Sequence, residues 1–348
     1  MMRLPWFGFH SPKTVSEAAK ILAAEGPQAM LIAGGTDLLP NMKRRHQTPA
    51  TLVSLRRIEA LKNISNGSHT TLGAGLTLNE IVANAKVREQ YAVLWQAAAQ
   101  VATVHLRNMG TLGGNLCLDT RCNYYNQNYE WRKAIDFCMK KDGEICWVAT
   151  ASKRCVATSS TDTAPALISL GASVRLVSAQ GERDVALADF YRNDGIDYLT
   201  RRPDEILTEV KLPAPEGWKS SYWKLRRRGA FDFPVLGVAA AAKTAPDGTV
   251  EEARIALAAV ASRPFLVPKA SEALVGRKLT EDVIAEVAAI VGSRAKPMDN
   301  TDMEIYWRKR VTSDFVGYAL RELRGEDMRA VRARIARQAL DPAHSGTA

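Results

Sequence analysis

Four of the five cysteines in this sequence follow one another with the spacing C-x15-C-x7-C-x8-C, at Cys122, Cys138, Cys146 and Cys155. Four thiolates can ligate either zinc or a 4Fe–4S cluster, and the C-x2-C pair of common zinc ribbons is missing. A long segment needs something that offsets its conformational entropy, so a metal centre is favoured over four reduced core cysteines. Cys117 stands apart and is interpreted as a small buried residue. The residues alone leave the metal open.

Two glycine pairs precede these cysteines, in the segments 32–37 (IAGGTD) and 111–115 (TLGGN). Glycine lets the backbone approach an anion closely and adopt positive φ, so that amide groups can bind phosphate oxygens. Either pair alone could be an ordinary turn, and neither is a Walker A or G-x-G-x-x-G motif. Two pairs in one chain favour a dinucleotide cofactor whose pyrophosphate is held from both sides.

Two charged residues beyond the cysteines could also contact such a cofactor. Asp162 precedes an apolar helix, where it can act as an N-cap or accept hydrogen bonds from a ribose or a flavin ring. Lys224 lies in a strand-like segment and is either a surface lysine or a cation near the flavin. The five histidines are scattered and no G-x-S-x-G motif is present, so no hydrolase site is predicted.

The surrounding elements must position these residues. The capping sequence at Thr14 predicts a helix over 14–26, and the apolar run 29–33 predicts a buried strand that leads into the first glycine pair. A long buried helix is predicted over 87–105, before the second pair. Strands followed by helices from residue 219 onward indicate a separate α+β domain, and the charged tail after residue 325 is predicted to be either an arm or partly disordered.

Composition and charge exclude several classes of protein. The 348 residues carry a net charge of +10, but the basic residues are dispersed and match no nucleic-acid-binding motif. No apolar run approaches the roughly 20 residues of a membrane span, and the N-terminus lacks a signal sequence. We therefore expect no nucleic-acid partner, no membrane insertion and a cytoplasmic location.

Several segments occur in an order that resembles the FAD-binding subunits of the xanthine dehydrogenase/molybdenum hydroxylase family, over nearly the whole chain. The matching segments are residues 9–12, 31–38, 72–81, 111–116 and 162–167. The resemblance implies an α+β fold with a two-lobed, PCMH/VAO-like FAD-binding domain and a C-terminal domain of the CO dehydrogenase flavoprotein type. The implied boundaries are 1–216 for the FAD-binding domain, with lobes at 1–58 and 59–216 and an iron–sulfur insertion at 117–157, then 217–325 for the C-terminal domain and 326–348 for a tail.

The resemblance also implies the cofactors and their contacts. The cysteine insertion is similar to that of a family member with an additional 4Fe–4S cluster, which would be ligated by Cys122, Cys138, Cys146 and Cys155. The residues implied to contact FAD come from the two glycine segments and from scattered positions: Ala29, Met30, Leu31, Ile32, Ala33, Gly34, Gly35, Thr36, Val101, Thr111, Gly113, Gly114, Asn115, Asp162, Ile206 and Lys224.

By the same resemblance the chain is an electron-transfer subunit of an oxidoreductase, with the substrate site on another chain. Its implied partners are a large molybdopterin subunit and a small 2Fe–2S subunit, in a dimer of heterotrimers. A ferredoxin would dock as electron donor on basic residues of the insertion, namely Arg121, Arg132, Lys133, Lys140, Lys141, Lys153 and Arg154. The alternatives are a flavoprotein whose insertion is stiffened by zinc, and a scaffold subunit whose glycine loops are only turns.

Overall fold

The computed structural model describes residues 3–66 and 69–338. The first lobe is a parallel sheet with the order β1-β3-β2, covered by a helix. The Thr14 hydroxyl accepts a hydrogen bond from the Glu17 amide at 3.1 Å, which confirms the predicted start of the first helix. The elements of this lobe are β1 (Gly8–His10), α1 (Val15–Glu25), β2 (Ala29–Ile32), α2 (Leu38–Lys43) and β3 (Thr51–Ser54).

The second lobe is an antiparallel sheet with the order β4-β5-β8-β6-β7, packed against short helices. Its interior is formed by apolar side chains of these helices and of one face of the sheet. The elements are β4 (Ile64–Asn66), β5 (Thr70–Gly73), α3 (Leu78–Ala83), α4 (Ala85–Gln90), α5 (Ala92–Ala99), α6 (Val104–Arg107), α7 (Leu112–Leu116), α8 (Tyr129–Ala134), α9 (Thr163–Ser169), β6 (Ser173–Ser178), β7 (Gly181–Ala186) and β8 (Ile206–Leu212).

The single long helix predicted over residues 87–105 is wrong, because the chain forms α4, α5 and α6 instead. The first break is at Tyr91, whose φ of −130° and ψ of 56° are not helical. Its buried side chain donates a hydrogen bond to the Pro213 carbonyl at 2.9 Å. A second break follows α5, where Ala102 has a φ of 43°. Tertiary contacts thus override the continuous apolar pattern that predicted one helix. The second break places Val101 at the wall of a large cavity.

The C-terminal region is an antiparallel sheet with the order β12-β11-β10-β9 and helices packed on one face. Gly325 ends α12 with a φ of 110°, as predicted. Residues 329–338 form a further helix, where an arm or a partly disordered tail was predicted, and residues 339–348 lie outside the described part of the chain. The elements are β9 (Trp218–Leu225), β10 (Leu236–Thr244), β11 (Val250–Ala258), β12 (Phe265–Leu266), α10 (Pro268–Leu274), α11 (Glu281–Arg294), α12 (Ile305–Arg324) and α13 (Arg329–Gln338). Together the described residues confirm the predicted α+β fold.

The cysteine-containing segment leaves the second lobe and returns to the same place. The backbone groups of Arg121 and Thr158 form two hydrogen bonds of 2.8 and 2.7 Å, which join the two ends of the segment. Asn300 of the C-terminal region holds the segment from the other side. Its side-chain NH2 group donates to the Val156 carbonyl at 2.6 Å, and its main-chain carbonyl accepts from the main-chain amide of Asn123 at 2.8 Å. Apart from α8 the segment consists of turns and isolated bridges.

Candidate functional site

A cavity of about 880 Å³ lies between the two lobes. The loop after β2, the loop that leads into α7 and the segment before α9 all contribute to its wall. Its size falls within the range of pockets that bury small molecules and cofactors. The two predicted glycine loops thus face one common space.

The first glycine loop exposes its backbone to this cavity. Gly35 has a φ of 71°, which favours glycine. Within the described part of the chain, no hydrogen bond is donated by the backbone amides of residues 34–37. A Cβ atom on Gly34 would lie 1.9 Å from the Met109 carbonyl oxygen, so this glycine also lets the two loops touch. Free amides beside an open cavity suit the phosphate oxygens of a dinucleotide.

The second glycine loop contributes in a different way, because its amides are already bonded within the protein. The Gly113 amide donates to the Ala74 carbonyl at 2.8 Å, and the Gly114 amide donates to the Thr111 hydroxyl at 3.1 Å. Gly114 is exposed to the cavity. This loop therefore offers a ligand open space rather than hydrogen-bond donors, because Gly114 has no side chain. The asymmetry between the loops could not be read from two similar glycine pairs.

Asn115 joins the second loop to the segment before α9. Its side-chain oxygen accepts hydrogen bonds from the Thr161 hydroxyl at 2.9 Å and from both the amide and the hydroxyl of Thr163, at 3.1 and 2.6 Å. All three partners are buried. This junction fixes Asp162, which lies between the two threonines, at the cavity wall.

Asp162 forms a buried ion pair with Lys224 of β9. The Lys224 ammonium lies 3.0 and 3.1 Å from the two carboxylate oxygens, and it also donates to the Gln100 carbonyl at 3.0 Å. The Tyr222 hydroxyl donates to the same carboxylate at 2.8 Å. Burial raises the pKa of Asp162 and lowers the pKa of Lys224, and in each case the charge of the partner opposes the shift. Lys224 is thus a buried partner of Asp162 rather than a surface lysine.

The structure gathers most of the predicted FAD contacts around the cavity. Ile206 does not line it and is buried in the core of the first lobe, although the next residue, Leu207, does line it. Lys224 reaches the cavity only through Asp162. The predicted residues that line the cavity are Ala29, Met30, Leu31, Ile32, Ala33, Gly34, Gly35, Thr36, Val101, Thr111, Gly113, Gly114, Asn115 and Asp162.

Residues at the start of the insertion also line the cavity, and the sequence analysis did not assign them there. They are Cys117, Leu118, Asp119 and Arg121. The Arg121 guanidinium forms an ion pair with Asp37 of the first glycine loop and donates to the Asn41 side chain at 2.9 Å. Only the position of Arg121 next to Cys122 in the sequence could have suggested that the cysteine segment reaches the large cavity.

The four clustered cysteines surround a second, small cavity. Cys122, Cys138, Cys146 and Cys155 all line it and all are buried, whereas Cys117 lines the large cavity. Across residues 3–66 and 69–338, however, no three or more His, Cys, Asp or Glu side chains form a group that could hold a metal ion. The donor set consists of thiols alone, which suits zinc or an iron–sulfur centre and not a hard cation such as magnesium.

Burial affects the acidity of these thiols. It raises the pKa of Cys122 to about 12 and the pKa of Cys155 to about 11. The Lys140 ammonium acts in the opposite direction on Cys155, by stabilising a thiolate there. Ligation of a metal by these cysteines would therefore release protons.

Three of the seven basic residues predicted to form a docking surface on the insertion are buried. Arg121, Arg132 and Lys140 have side chains that are 7% exposed or less, and each is engaged in an ion pair. Lys133, Lys153 and Arg154 are exposed, and Lys141 is partly exposed. Exposed acidic residues accompany them at Glu130, Asp136, Asp142 and Glu144. The surface of the insertion is thus mixed in charge, because three of the seven cations are buried within it.

The large cavity, with glycine loops of both lobes at its wall, suits a dinucleotide cofactor. A family model described as the FAD binding domain in molybdopterin dehydrogenase matches residues 5–215, and one described as the CO dehydrogenase flavoprotein C-terminal domain matches residues 220–323. The chain therefore belongs to the FAD-binding subunits (medium chains) of the xanthine dehydrogenase/CO dehydrogenase family. FAD is its cofactor, and the predicted two-lobed fold with a C-terminal α+β domain is confirmed.

Individual relatives support this assignment. The aldehyde oxidoreductase FAD-binding subunit PaoB of Escherichia coli is 34% identical over 77% of this chain and 86% of that protein. The carbon monoxide dehydrogenase medium chain of Afipia carboxidovorans is 28% identical over 84% of this chain and 87% of its own length. A solved carbon monoxide dehydrogenase chain from Hydrogenophaga pseudoflava superposes with a TM-score of 0.76 and 26% identity, over 92% of this chain and 98% of that one. These relatives are subunits of oxidoreductases, which confirms the prediction of an oxidoreductase subunit.

The walls of the large cavity fit FAD, since free backbone amides face the cavity on one side and a glycine without a side chain faces it on the other.

No described helix combines the length and the apolar character that crossing a membrane requires.

We expect Gly114→Val to weaken FAD binding at least tenfold. A Cβ at this position would lie 3.0 Å from the Thr111 hydroxyl, a tight contact that a small shift of this side chain can relieve, and the φ of Gly114 is not positive, so the main effect of the substitution is to fill the cavity. Gly35 is a poorer test, because its φ of 71° strains any side chain whether or not FAD is bound. The measurement is FAD retained per chain after dialysis, with a dissociation constant from flavin titration.

Gly8→Val is the matched control for this experiment. Gly8 lies on the exposed strand β1, where a Cβ would be 3.5 Å from the nearest side-chain atom. It should keep full FAD. Full occupancy in Gly114→Val would contradict the placement of the cofactor against the second glycine loop.

Proposed function

We propose that this chain is an electron-transfer subunit that binds FAD in the large cavity and a 4Fe–4S cluster at the cysteine cavity. The observation that carries the proposal is the arrangement of four buried thiols around one cavity whose wall is continuous, through Lys140 and Asp119, with the flavin cavity. When bound, FAD would supply two-electron chemistry that can be divided into single-electron steps, and the cluster would supply one-electron transfer.

In this proposal the residues of the chain bind and orient the two groups. The first glycine loop donates amides to the pyrophosphate, and the second leaves room for it. Asp162, held by Tyr222 and Lys224, is an acceptor for a ribose or for the edge of the flavin ring. Ile206 and Lys224 act behind the cavity wall, through Leu207 and Asp162. Cys122, Cys138, Cys146 and Cys155 are the cluster ligands, and Cys117 is not one.

The particular protein proposed is the β subunit of 4-hydroxybenzoyl-CoA reductase. The support is the position of the cysteine insertion, between the second glycine loop and Asp162, which resembles that subunit with its additional 4Fe–4S cluster. The complex would reduce 4-hydroxybenzoyl-CoA to benzoyl-CoA in anaerobic aromatic degradation in the cytoplasm. The substrate would react on a large molybdopterin subunit, and a small 2Fe–2S subunit would connect the two in a dimer of heterotrimers. Curated relatives named as medium chains of carbon monoxide dehydrogenase agree with a multisubunit assembly.

The second candidate is the FAD subunit of another xanthine dehydrogenase-like hydroxylase whose insertion holds structural zinc. Four thiols suit zinc equally well by number. Among the described residues no group of three or more His, Cys, Asp or Glu side chains could hold a metal ion, so the geometry favours neither metal over the other. Iron, acid-labile sulfide, zinc and flavin measured on anaerobically purified protein distinguish the two candidates.

A ferredoxin is the proposed electron donor, with the insertion as its docking surface. Exposed apolar side chains on the insertion support a contact: Tyr129, Trp131 and Ile145 are 46, 39 and 45% exposed. Lys133, Lys141, Lys153 and Arg154 are the cations left at the surface. Because acidic residues are interspersed among them, the dependence of this contact on salt should be modest.

We expect Lys133→Glu combined with Lys153→Glu to slow reduction of the assembled complex by ferredoxin several-fold, while reduction by a small uncharged dye is unchanged. The two substitutions reverse exposed charges and disturb no described ion pair. Lys140 is unsuitable for this purpose, since it is buried. Lys20→Glu, on the exposed face of α1, is the control. Equal rates of reduction by ferredoxin in the wild type, the double variant and Lys20→Glu would show that electrons enter elsewhere.

A further inference from the structure

The ammonium group of Lys140 is fixed in the wall between the two cavities. It donates hydrogen bonds to the Asp119 carboxylate at 2.8 Å, the Thr120 hydroxyl at 2.8 Å and the Gly195 carbonyl at 2.7 Å. Its side chain is 7% exposed. A lysine ammonium has three hydrogens, so these partners satisfy it completely and hold its charge at one position.

The pair formed by Lys140 and Asp119 has one end at each cavity. Lys140 and Tyr125 line the cysteine cavity, while Asp119 and Tyr198 line the flavin cavity. The Tyr125 hydroxyl donates to the second oxygen of Asp119 at 3.0 Å, and the ammonium lies 4.8 and 5.6 Å from the ring centres of Tyr125 and Tyr198. Lys140 therefore belongs to the wall of the cysteine cavity and Asp119 to the wall of the flavin cavity, with 2.8 Å between their charged groups.

Gly195 connects the ammonium to one of the cysteines. Its amide donates to the Cys155 carbonyl at 2.9 Å, and its own carbonyl is a partner of Lys140. A Cβ atom at position 195 would lie only 2.6 Å from the Cys155 sulfur. Because residue 195 has no side chain, the Cys155 sulfur packs directly against Gly195, whose carbonyl accepts a hydrogen bond from Lys140.

We infer that the Lys140–Asp119 pair sets the difference in reduction potential between the cluster and FAD; this inference rests on the proposed function for its cluster half. In a buried, weakly polarisable environment, a nearby positive charge favours an added electron and a nearby negative charge disfavours one. Lys140 raises the potential at the cysteine cavity, and Asp119 lowers it at the flavin cavity. Lys140 is in this sense a positioning and tuning residue, which contacts neither reacting atoms nor substrate.

The test is a redox titration of the assembled complex that carries Lys140→Gln and Asp119→Asn together. This double substitution removes both charges and keeps hydrogen-bonding groups, so no unpaired charge remains buried. The cluster potential, followed by electron paramagnetic resonance, should fall, and the flavin potential, followed by absorbance, should rise. We expect at least a tenfold change in each equilibrium constant, which is about 59 mV for a one-electron step and about 30 mV for a two-electron step.

A purely structural role of the Lys140–Asp119 pair would not shift the cluster potential and the flavin potential in opposite directions. Lys140→Arg keeps the charge and should keep both potentials, and the exposed pair in Arg175→Gln/Asp184→Asn should affect neither. Unchanged potentials, or shifts in the same direction, with FAD and iron at wild-type content would overturn the inference. If the wild-type complex contains no iron–sulfur cluster, the proposed function fails. The part of the inference that concerns the flavin can then still be tested, and an unchanged flavin potential in Asp119→Asn would overturn it.

Discussion

Replacing Cys138 by serine should remove iron and acid-labile sulfide from the protein and leave FAD at its full content. Four thiolates are the usual complement of a 4Fe–4S cluster, so the loss of one leaves an iron without its ligand. The cysteine cavity and the flavin cavity share no cysteine, and the two ends of the insertion are held together by Arg121 and Thr158 independently of any metal. Iron, sulfide and flavin per chain, measured on anaerobically purified protein, are the readouts.

Cys117→Ser is the matched control for this experiment, because it makes the same chemical change outside the cysteine cavity. Cys117 lines the flavin cavity, where burial raises the pKa of its thiol. It should keep iron and sulfide at the wild-type content. Stoichiometric zinc without sulfide in the wild-type protein would instead support the second candidate, and loss of iron in Cys117→Ser would contradict the assignment of the four ligands.

Breaking the buried ion pair beneath the flavin cavity should destabilise the folded protein by about 3–5 kcal/mol, the range for removing one partner of such a pair. Asp162→Asn leaves the Lys224 ammonium buried without a counter-charge, since its other described partner is the neutral Gln100 carbonyl. The same substitution also changes the acceptor that faces the cavity. We therefore expect a lower midpoint in denaturant and weaker FAD binding together.

Two further variants separate charge from shape in this prediction. Lys224→Met combined with Asp162→Asn removes both charges and should recover part of the lost stability. Asp184→Asn breaks exposed ion pairs with Arg175 and Lys211 on the sheet of the second lobe and should cost about 1 kcal/mol or less for each pair. A loss of stability in Asp162→Asn no larger than that of Asp184→Asn would show that the buried pair does not hold β9 against the second lobe.

The flavin half of the site was largely predictable from the sequence, because it depends on local rules. A glycine pair after a short apolar strand indicates a backbone that approaches a ligand, and the structure places both pairs at one cavity. The cap at Thr14 and the stop at Gly325 were equally local signals. The break at Tyr91 was not predictable, because it depends on a contact with Pro213, which is far away in the sequence.

The insertion was less predictable, since composition does not tell which charged side chains are buried. Arg132 is 1% exposed and packs over the Phe137 ring, although its sequence context of charged and polar residues suggests a surface position. The burial of Lys140 depends on Gly195, which follows it by many residues. The same cations that suggested a docking surface are therefore part of the interior that holds the cysteines in place.

The closed ends of the insertion have a consequence for the origin of this chain. Because Arg121 and Thr158 are paired as neighbours on adjacent backbone segments, everything between them could be replaced by a tight turn. Asp162 and both glycine loops lie outside that interval. An ancestral flavin subunit could thus gain or lose the entire cysteine module and still fold, provided that Asp119, whose buried counter-charge is Lys140 of the module, changes with it. A chain in which a short turn replaces residues 122–157 and Asp119 is replaced by asparagine would represent that ancestor and should bind FAD alone.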